Sequence, residues 1–173
     1  MSTSLDLSKL SLMDALDLAI LIEEEARQRY EMFASQLGRT GGNDAGSFFA
    51  SMVENEAKHG TELLERRMAL FGKTPMNLKL HDIYDVEAPD TGAPRRGMST
   101  LHAFEVGLSS EKKAYDFYDM ALPGVTNPEV RELFIELRDE EAEHIDMIKE
   151  AMAKLPESAK IEEENDPDDA PYL

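Results

Sequence analysis

Leu137-Arg138-Asp139-Glu140-Glu141-Ala142-Glu143-His144-Ile145-Asp146-Met147-Ile148 decides how this chain is read. Val130, Leu133, Phe134, Leu137, Ile145 and Ile148 recur at three- and four-residue steps, the stripe of an amphipathic helix. Glu141 and His144 sit on that stripe, where apolar residues belong. The same break recurs upstream, where Met52 and Leu63 flank Glu56-Ala57-Lys58-His59. Two more stripes each carry one acid: Glu23 between Ile20 and Ala26, and Glu111 between Leu108 and Ala114.

Outward from these four segments, the punctuation gives the architecture. Ser11 with Asp14 forms a capping box for a helix over 11–38, stopped by Gly38 and Gly41-Gly42. A second helix over 44–71 runs through Phe48, Phe49, Met52, Leu63 and Leu70 to Gly72, and the short glycine link makes an antiparallel hairpin. Periodicity vanishes over 72–98, where Pro75, Pro89 and Pro94 interrupt a long crossover with a short helical piece expected around Leu80 to Tyr84. Ser99 caps a third helix over 99–122, and Asn127-Pro128 opens a fourth over 128–155. The expected fold class is all-α: a four-helix bundle of two antiparallel hairpins over residues 1–156, followed by an acidic tail over 157–173.

Composition narrows the function. The 173 residues carry 18 Lys+Arg against 36 Asp+Glu, a formal charge of −18, which opposes a nucleic-acid backbone and predicts no nucleic-acid partner. With no Cys, disulfides, thiolate-ligated metals and cysteine nucleophiles are excluded from this chain. The longest apolar run, Leu18 to Ile22, falls far short of the ~20 residues that cross a bilayer, and no basic region precedes an apolar stretch at the N-terminus. No membrane association is expected, and a soluble, cytoplasmic protein is.

Four glutamates aimed into one core pose a charge problem. Removing an unpaired carboxylate from water costs several kcal/mol, against a total domain stability of about 5–15 kcal/mol. No Lys or Arg occupies the central stripe positions to offset them. Two divalent cations do: four carboxylates and two +2 ions sum to zero with both imidazoles neutral. Glu and His three residues apart share a helix face and reach one ion together. Oxygen and imidazole ligands without thiolate suit iron or manganese, with zinc an alternative occupant. Glu23, Glu56, His59, Glu111, Glu141 and His144 are therefore the expected ligands. Tyr30 and Tyr118, seven residues after Glu23 and Glu111, stand where a phenol hydrogen-bonds a ligating carboxylate.

Other residues take ordinary roles. Glu24, Glu25, Glu31, Glu54, Glu140 and Glu143 fall off the stripes and read as solvated surface, His81 and His102 as surface or capping residues, and the ten Met, Met52, Met120 and Met147 among them, as core gap-fillers. Gly72-Lys73-Thr74 is no phosphate loop, because Arg67 stands where its first Gly belongs.

Over residues 12 to 155 the sequence resembles the ferritin-like superfamily, above all the rubrerythrin-type di-iron domain. The carrying segments are Glu23 to Tyr30, Glu56 to His59, Glu111 to Tyr118 and Glu141 to His144. The resemblance implies that Glu56 and Glu141 bridge two iron ions, that Glu23 and Glu111 are terminal ligands, and that His59 and His144 bind one ion each. It departs in two places. The chain lacks the Cys-ligated rubredoxin-like domain of full-length rubrerythrins, and Ala114 replaces the further third-helix Glu that exchanges with a His there. The implied site is more symmetric, with His59 bound in both oxidation states. The implied function is a di-iron oxidoreductase that oxidises Fe(II) with hydrogen peroxide or oxygen, as peroxidase or ferroxidase, with an external electron donor of unknown identity. The alternative is a non-catalytic iron, manganese or zinc carrier or storage-associated module. A homo-oligomer is implied too, a dimer first.

Overall fold

The first helix begins where its cap chemistry places it. Ser11 Oγ accepts the Asp14 amide at 3.1 Å and donates to the Asp14 carboxylate at 2.6 Å, ahead of α1 (Leu12–Leu37). The protein is described by a computed structural model covering residues 6–37, 44–79, 86–90, 92 and 98–161. α2 (Asp44–Phe71) ends at Gly72, whose φ of 60° is the left-handed conformation that closes a helix C-terminus. Ser99 caps α3 (Thr100–Ala121) by accepting the His102 amide, and Asn127 caps α4 (Pro128–Ala153) by accepting that of Glu129, with Pro128 in the first turn. Short 3-10 turns at Leu7–Lys9, Leu122–Gly124 and Glu157–Lys160 complete the elements, and no strand occurs among the described residues. The expected Gly38–Asn43 link, the helical piece around Leu80 to Tyr84, His81 and the tail beyond Ile161 lie outside them.

α1 packs chiefly on α2, and α3 on α4. Asp17 meets Arg67 and Phe33 meets Phe49, so residue numbers fall on α2 as they rise on α1: an antiparallel hairpin. Tyr118 against Phe134 and Glu111 against His144 show the same for α3 and α4. Two antiparallel hairpins joined by one long crossover make a ferritin-like four-helix bundle.

Two apolar clusters fill the interior. One gathers Leu16, Ile22, Leu63, Tyr118, Phe134 and Leu137; the other gathers Ala26, Tyr30, Phe33, Phe49, Met52 and Ile148. On α1, the change from one cluster to the other falls between Ile22 and Ala26, around Glu23. On α2 it falls between Met52 and Leu63, around Glu56 and His59; on α4, between Leu137 and Ile148, around Glu141 and His144. The polar stripe residues thus form a layer across the bundle, held between two dry ends.

Some expected core positions face water. Met120 is 76% exposed and Met147 56%, because Tyr118 with Ala121, and Ile145 with Ile148, take the inward register. Leu70 is exposed as well, whereas Met52 is buried. Glu25, expected on the surface, is buried, with the Arg29 guanidinium 3.9 Å away. Asp17 and Arg67 form a fully buried ion pair, and Arg67 also donates to the Thr74 carbonyl at 2.9 Å.

Candidate metal centre

Each of the six expected ligands projects into the polar layer. Glu23, Glu56, Glu111 and Glu141 are at most 3% exposed, and the two histidines lie at the layer's edge. Ligand atoms of Glu23, Glu56 and His59 lie within 4.8 Å of one another, as do those of Glu111, Glu141 and His144, giving one Glu–Glu–His group per hairpin. The imidazoles of His59 and His144 stack with centroids 4.7 Å apart and planes 2° from parallel. His144 Nδ1 lies 3.0 Å from Glu111 Oε2 and 3.7 Å from Glu141 Oε2, and His59 Nδ1 lies 3.9 Å from Glu23 Oε2.

A seventh side chain completes the layer. Glu87, carried by the crossover, is 1% exposed and joins two further groups, with Glu23 and Glu141 and with Glu56 and Glu111. No apolar stripe marks Glu87 in the sequence, because the crossover has no helical period. Its one sequence signal is a glutamate set among apolar residues in Val86-Glu87-Ala88-Pro89. Five carboxylates therefore meet where four were expected, and the balance against two divalent cations becomes −1 in place of zero. Ala114 is buried on α3, as its stripe position predicts.

Electrostatics show what the layer lacks. Burial first, and then the other carboxylates, push Glu23, Glu56 and Glu87 well above the usual carboxylate range. Burial raises Glu141 to about 8 even though His144 pulls it down. Burial alone would lower His144, but the Glu111 and Glu141 carboxylates outweigh it and hold the imidazole at about 10. Burial and the adjacent His144 lower His59. Glu23 Oε2, Glu56 Oε1, Glu87 Oε2 and Glu141 Oε2 are buried with no hydrogen-bond partner among the described residues. Buried polar atoms are rarely left so, and carboxylate oxygens converging without donors fit a cation. The donor set, carboxylates and imidazoles without sulfur, fits iron or manganese.

The tyrosines are less alike than their spacing. The Tyr30 hydroxyl donates to Glu111 Oε1 at 3.5 Å, a carboxylate of the other hairpin, while the Tyr118 hydroxyl is buried without a partner among the described residues. A pocket of about 80 Å³ adjoins the layer from outside, lined by His59, Glu62, Arg66, Glu136 and Glu140. Glu140, expected on the solvated surface, is half-buried there, and burial followed by Glu136 raises its pKa.

The rubrerythrin family model matches residues 14–152, most of the chain and all four helices. The chain belongs to the rubrerythrin family. Among solved structures, an uncharacterized conserved protein from Magnetospirillum magnetotacticum MS-1 is similar at 25% identity and a TM-score of 0.66, over 85% of this chain and 97% of that one. A hypothetical protein from Pyrococcus furiosus matches at 19% identity and a TM-score of 0.53, over 83% and 89%. A structure described as ferritin like, diiron-carboxylate proteins from Bacillus anthracis str. Ames matches at 19% identity and a TM-score of 0.49, over 87% and 99%. Among curated proteins no match is found. Rubrerythrin membership and the paired Glu–Glu–His groups mark a di-iron-type carboxylate protein. No helix is long and apolar enough to cross a membrane among the described residues.

Proposed function

We propose that this rubrerythrin-family protein is a non-haem di-iron oxidoreductase that oxidises Fe(II) with hydrogen peroxide or oxygen. The observation that carries the reading is the set of buried carboxylate oxygens that have no hydrogen-bond donor among the described residues and converge between the two hairpins. In this assignment Glu23, Glu56, His59, Glu111, Glu141 and His144 would hold two irons, with Glu56 and Glu141 shared between them, Glu23 and Glu111 as terminal ligands, and one histidine for each iron. Two bound irons supply the pair of electrons that the oxidant accepts.

The chain's own contribution is geometric and electrostatic. Dry clusters above and below the layer keep bulk water from the carboxylates. Carboxylate oxygens of Glu56 and Glu111 lie within 4.8 Å of each other, as do those of Glu141 and Glu23, which suits carboxylates that span both hairpins. Tyr30 orients Glu111 through its hydroxyl. The pocket beside His59, whose lining includes Glu62, Glu136 and Glu140, is the approach for a cation and a small oxidant. A non-catalytic carrier would use the same ligands, and turnover separates the two.

The test is anaerobic loading with Fe(II), then rapid mixing with oxygen and with hydrogen peroxide in parallel, following ferric absorbance. Two irons per chain, oxidised repeatedly when reductant is supplied, support the enzyme; the faster oxidant decides between peroxidase and ferroxidase. A single oxidation without turnover selects the carrier. Glu56→Ala and Glu141→Ala are expected to lose paired loading and oxidation, and either variant behaving as wild type would sink the assignment.

A further inference from the structure

We propose that Glu87 is a fifth carboxylate ligand of the metal centre, delivered by the crossover and placed between the two ion positions, so that docking of this segment depends on metal. The proposal rests on the di-metal reading above and goes beyond it by assigning a residue that comes from outside the four helices.

Three observations carry it. Glu87 is the one residue shared by the two ligand groups that span the hairpins, Glu23–Glu87–Glu141 and Glu56–Glu87–Glu111. A side chain with that membership stands between the hairpins rather than at one end. Second, Glu87 Oε2 is buried without a hydrogen-bond partner among the described residues, although the segment has cations close by. Third, those cations hold the flanking backbone instead. Arg29 of α1 donates to the Pro89 carbonyl at 2.7 Å, and Lys113 of α3 donates to the Ala88 carbonyl at 2.9 Å. Lys113 also lies 3.8 Å from the exposed Asp90 carboxylate. The crossover is thus clamped on both hairpins by its main chain, which leaves the Glu87 carboxylate to point into the layer without a basic partner among the described residues.

The energetics follow. A fifth carboxylate in a layer that already holds four is tolerated only with a proton or a cation on it. Between two cations it becomes an attractive ligand, and the backbone clamps pre-organise it there. Metal binding then fastens 86–90 to the bundle; without metal, repulsion from its neighbours works against the same docking.

The experiment uses the full chain and Co(II), which does not turn over with oxygen as Fe(II) does, in wild type and Glu87→Gln. Co(II) titration gives stoichiometry and affinity, and hydrogen exchange reports the amides of Val86, Glu87, Ala88 and Asp90. Wild type is expected to bind two Co(II) per chain and to slow exchange across that segment by roughly tenfold or more. Glu87→Gln is expected to bind at least one Co(II) more weakly by about tenfold or more and to lose the protection. Paired binding in wild type without any protection of the segment overturns the proposal even if the variant fails to fold. Equal affinity and equal protection in the variant overturn it too, while leaving the six-residue centre standing. If wild type binds no pair of ions, the di-metal reading fails and takes the proposal with it.

Discussion

At the scale of single residues, two kinds of buried charge coexist and differ in how they are compensated. Asp17 and Arg67 neutralise each other between α1 and α2, with 0% and 3% exposure. The polar layer instead sets five carboxylates against the His144 imidazole, and Glu23, Glu56, Glu87 and Glu141 each keep a buried oxygen without a hydrogen-bond partner among the described residues; that contrast is why the layer reads as a binding site and the ion pair as architecture. Arg67→Leu leaves Asp17 buried and unpaired and also deprives the Thr74 carbonyl of its donor. The expected cost is about 3–5 kcal/mol, or roughly 10 °C in thermal midpoint. The double variant Asp17→Leu with Arg67→Leu should recover most of it, since an apolar pair of similar volume often replaces a buried ion pair without loss. A single variant that melts with wild type would show that the pair does not hold the hairpin. Neither residue stood out in the sequence: Asp17 sits among apolar neighbours of α1 and Arg67 drew notice only for spoiling a phosphate-loop match, so a pair fifty residues apart had no local signature.

At the scale of elements, close approach of α2 and α3 depends on one missing side chain. A Cβ built on Gly107 would come within 2.7 Å of Phe48 Cζ and 2.9 Å of Phe48 Cε1. The ring has little freedom to yield, because it stacks on Phe104 with centroids 4.0 Å apart and touches Phe49 as well. Gly to Ala inside a helix ordinarily stabilises by about 1 kcal/mol. Here overpacking of about 1–3 kcal/mol opposes that gain, so Gly107→Ala is expected to lower the melting midpoint by a few degrees. In a Phe48→Leu background the same change should be neutral or stabilising, and a rise in the wild-type background would refute the packing account. The elements themselves were readable because capping residues and a 3.6-residue period are local: Ser11, Ser99 and Asn127 each cap the helix they were expected to cap. The four acids and two histidines were readable for the same reason, as interruptions of a period. Glu87 was not, since a segment without a period offers nothing to interrupt, and its place is set by contacts to Arg29 and Lys113 far away in the chain.

At the scale of the whole molecule, protons and metal ions compete for one charged layer, and stability should record the competition. Glu141 is raised to about 8 from an ordinary 4.5, and His144 to about 10 from 6.5. A group whose folded pKa lies above its unfolded value stabilises fully below the unfolded pKa and loses that contribution as pH rises through the folded one. For Glu141 the loss runs from about 4.5 to 8 and for His144 from about 6.5 to 10, and the raised Glu23, Glu56 and Glu87 act in the same direction. The metal-free protein, prepared with a chelator, is therefore expected to melt lower at pH 9 than at pH 6, by roughly 5–10 °C. Metal loading inverts this dependence, because ligands must shed their protons to bind and affinity climbs with pH. The separation between loaded and metal-free midpoints should widen from pH 6 to pH 9, and Glu141→Gln should flatten part of the metal-free slope. A metal-free midpoint that rises over this interval would mean that the layer is not held together by protons, and that repulsion among its carboxylates is relieved in some other way.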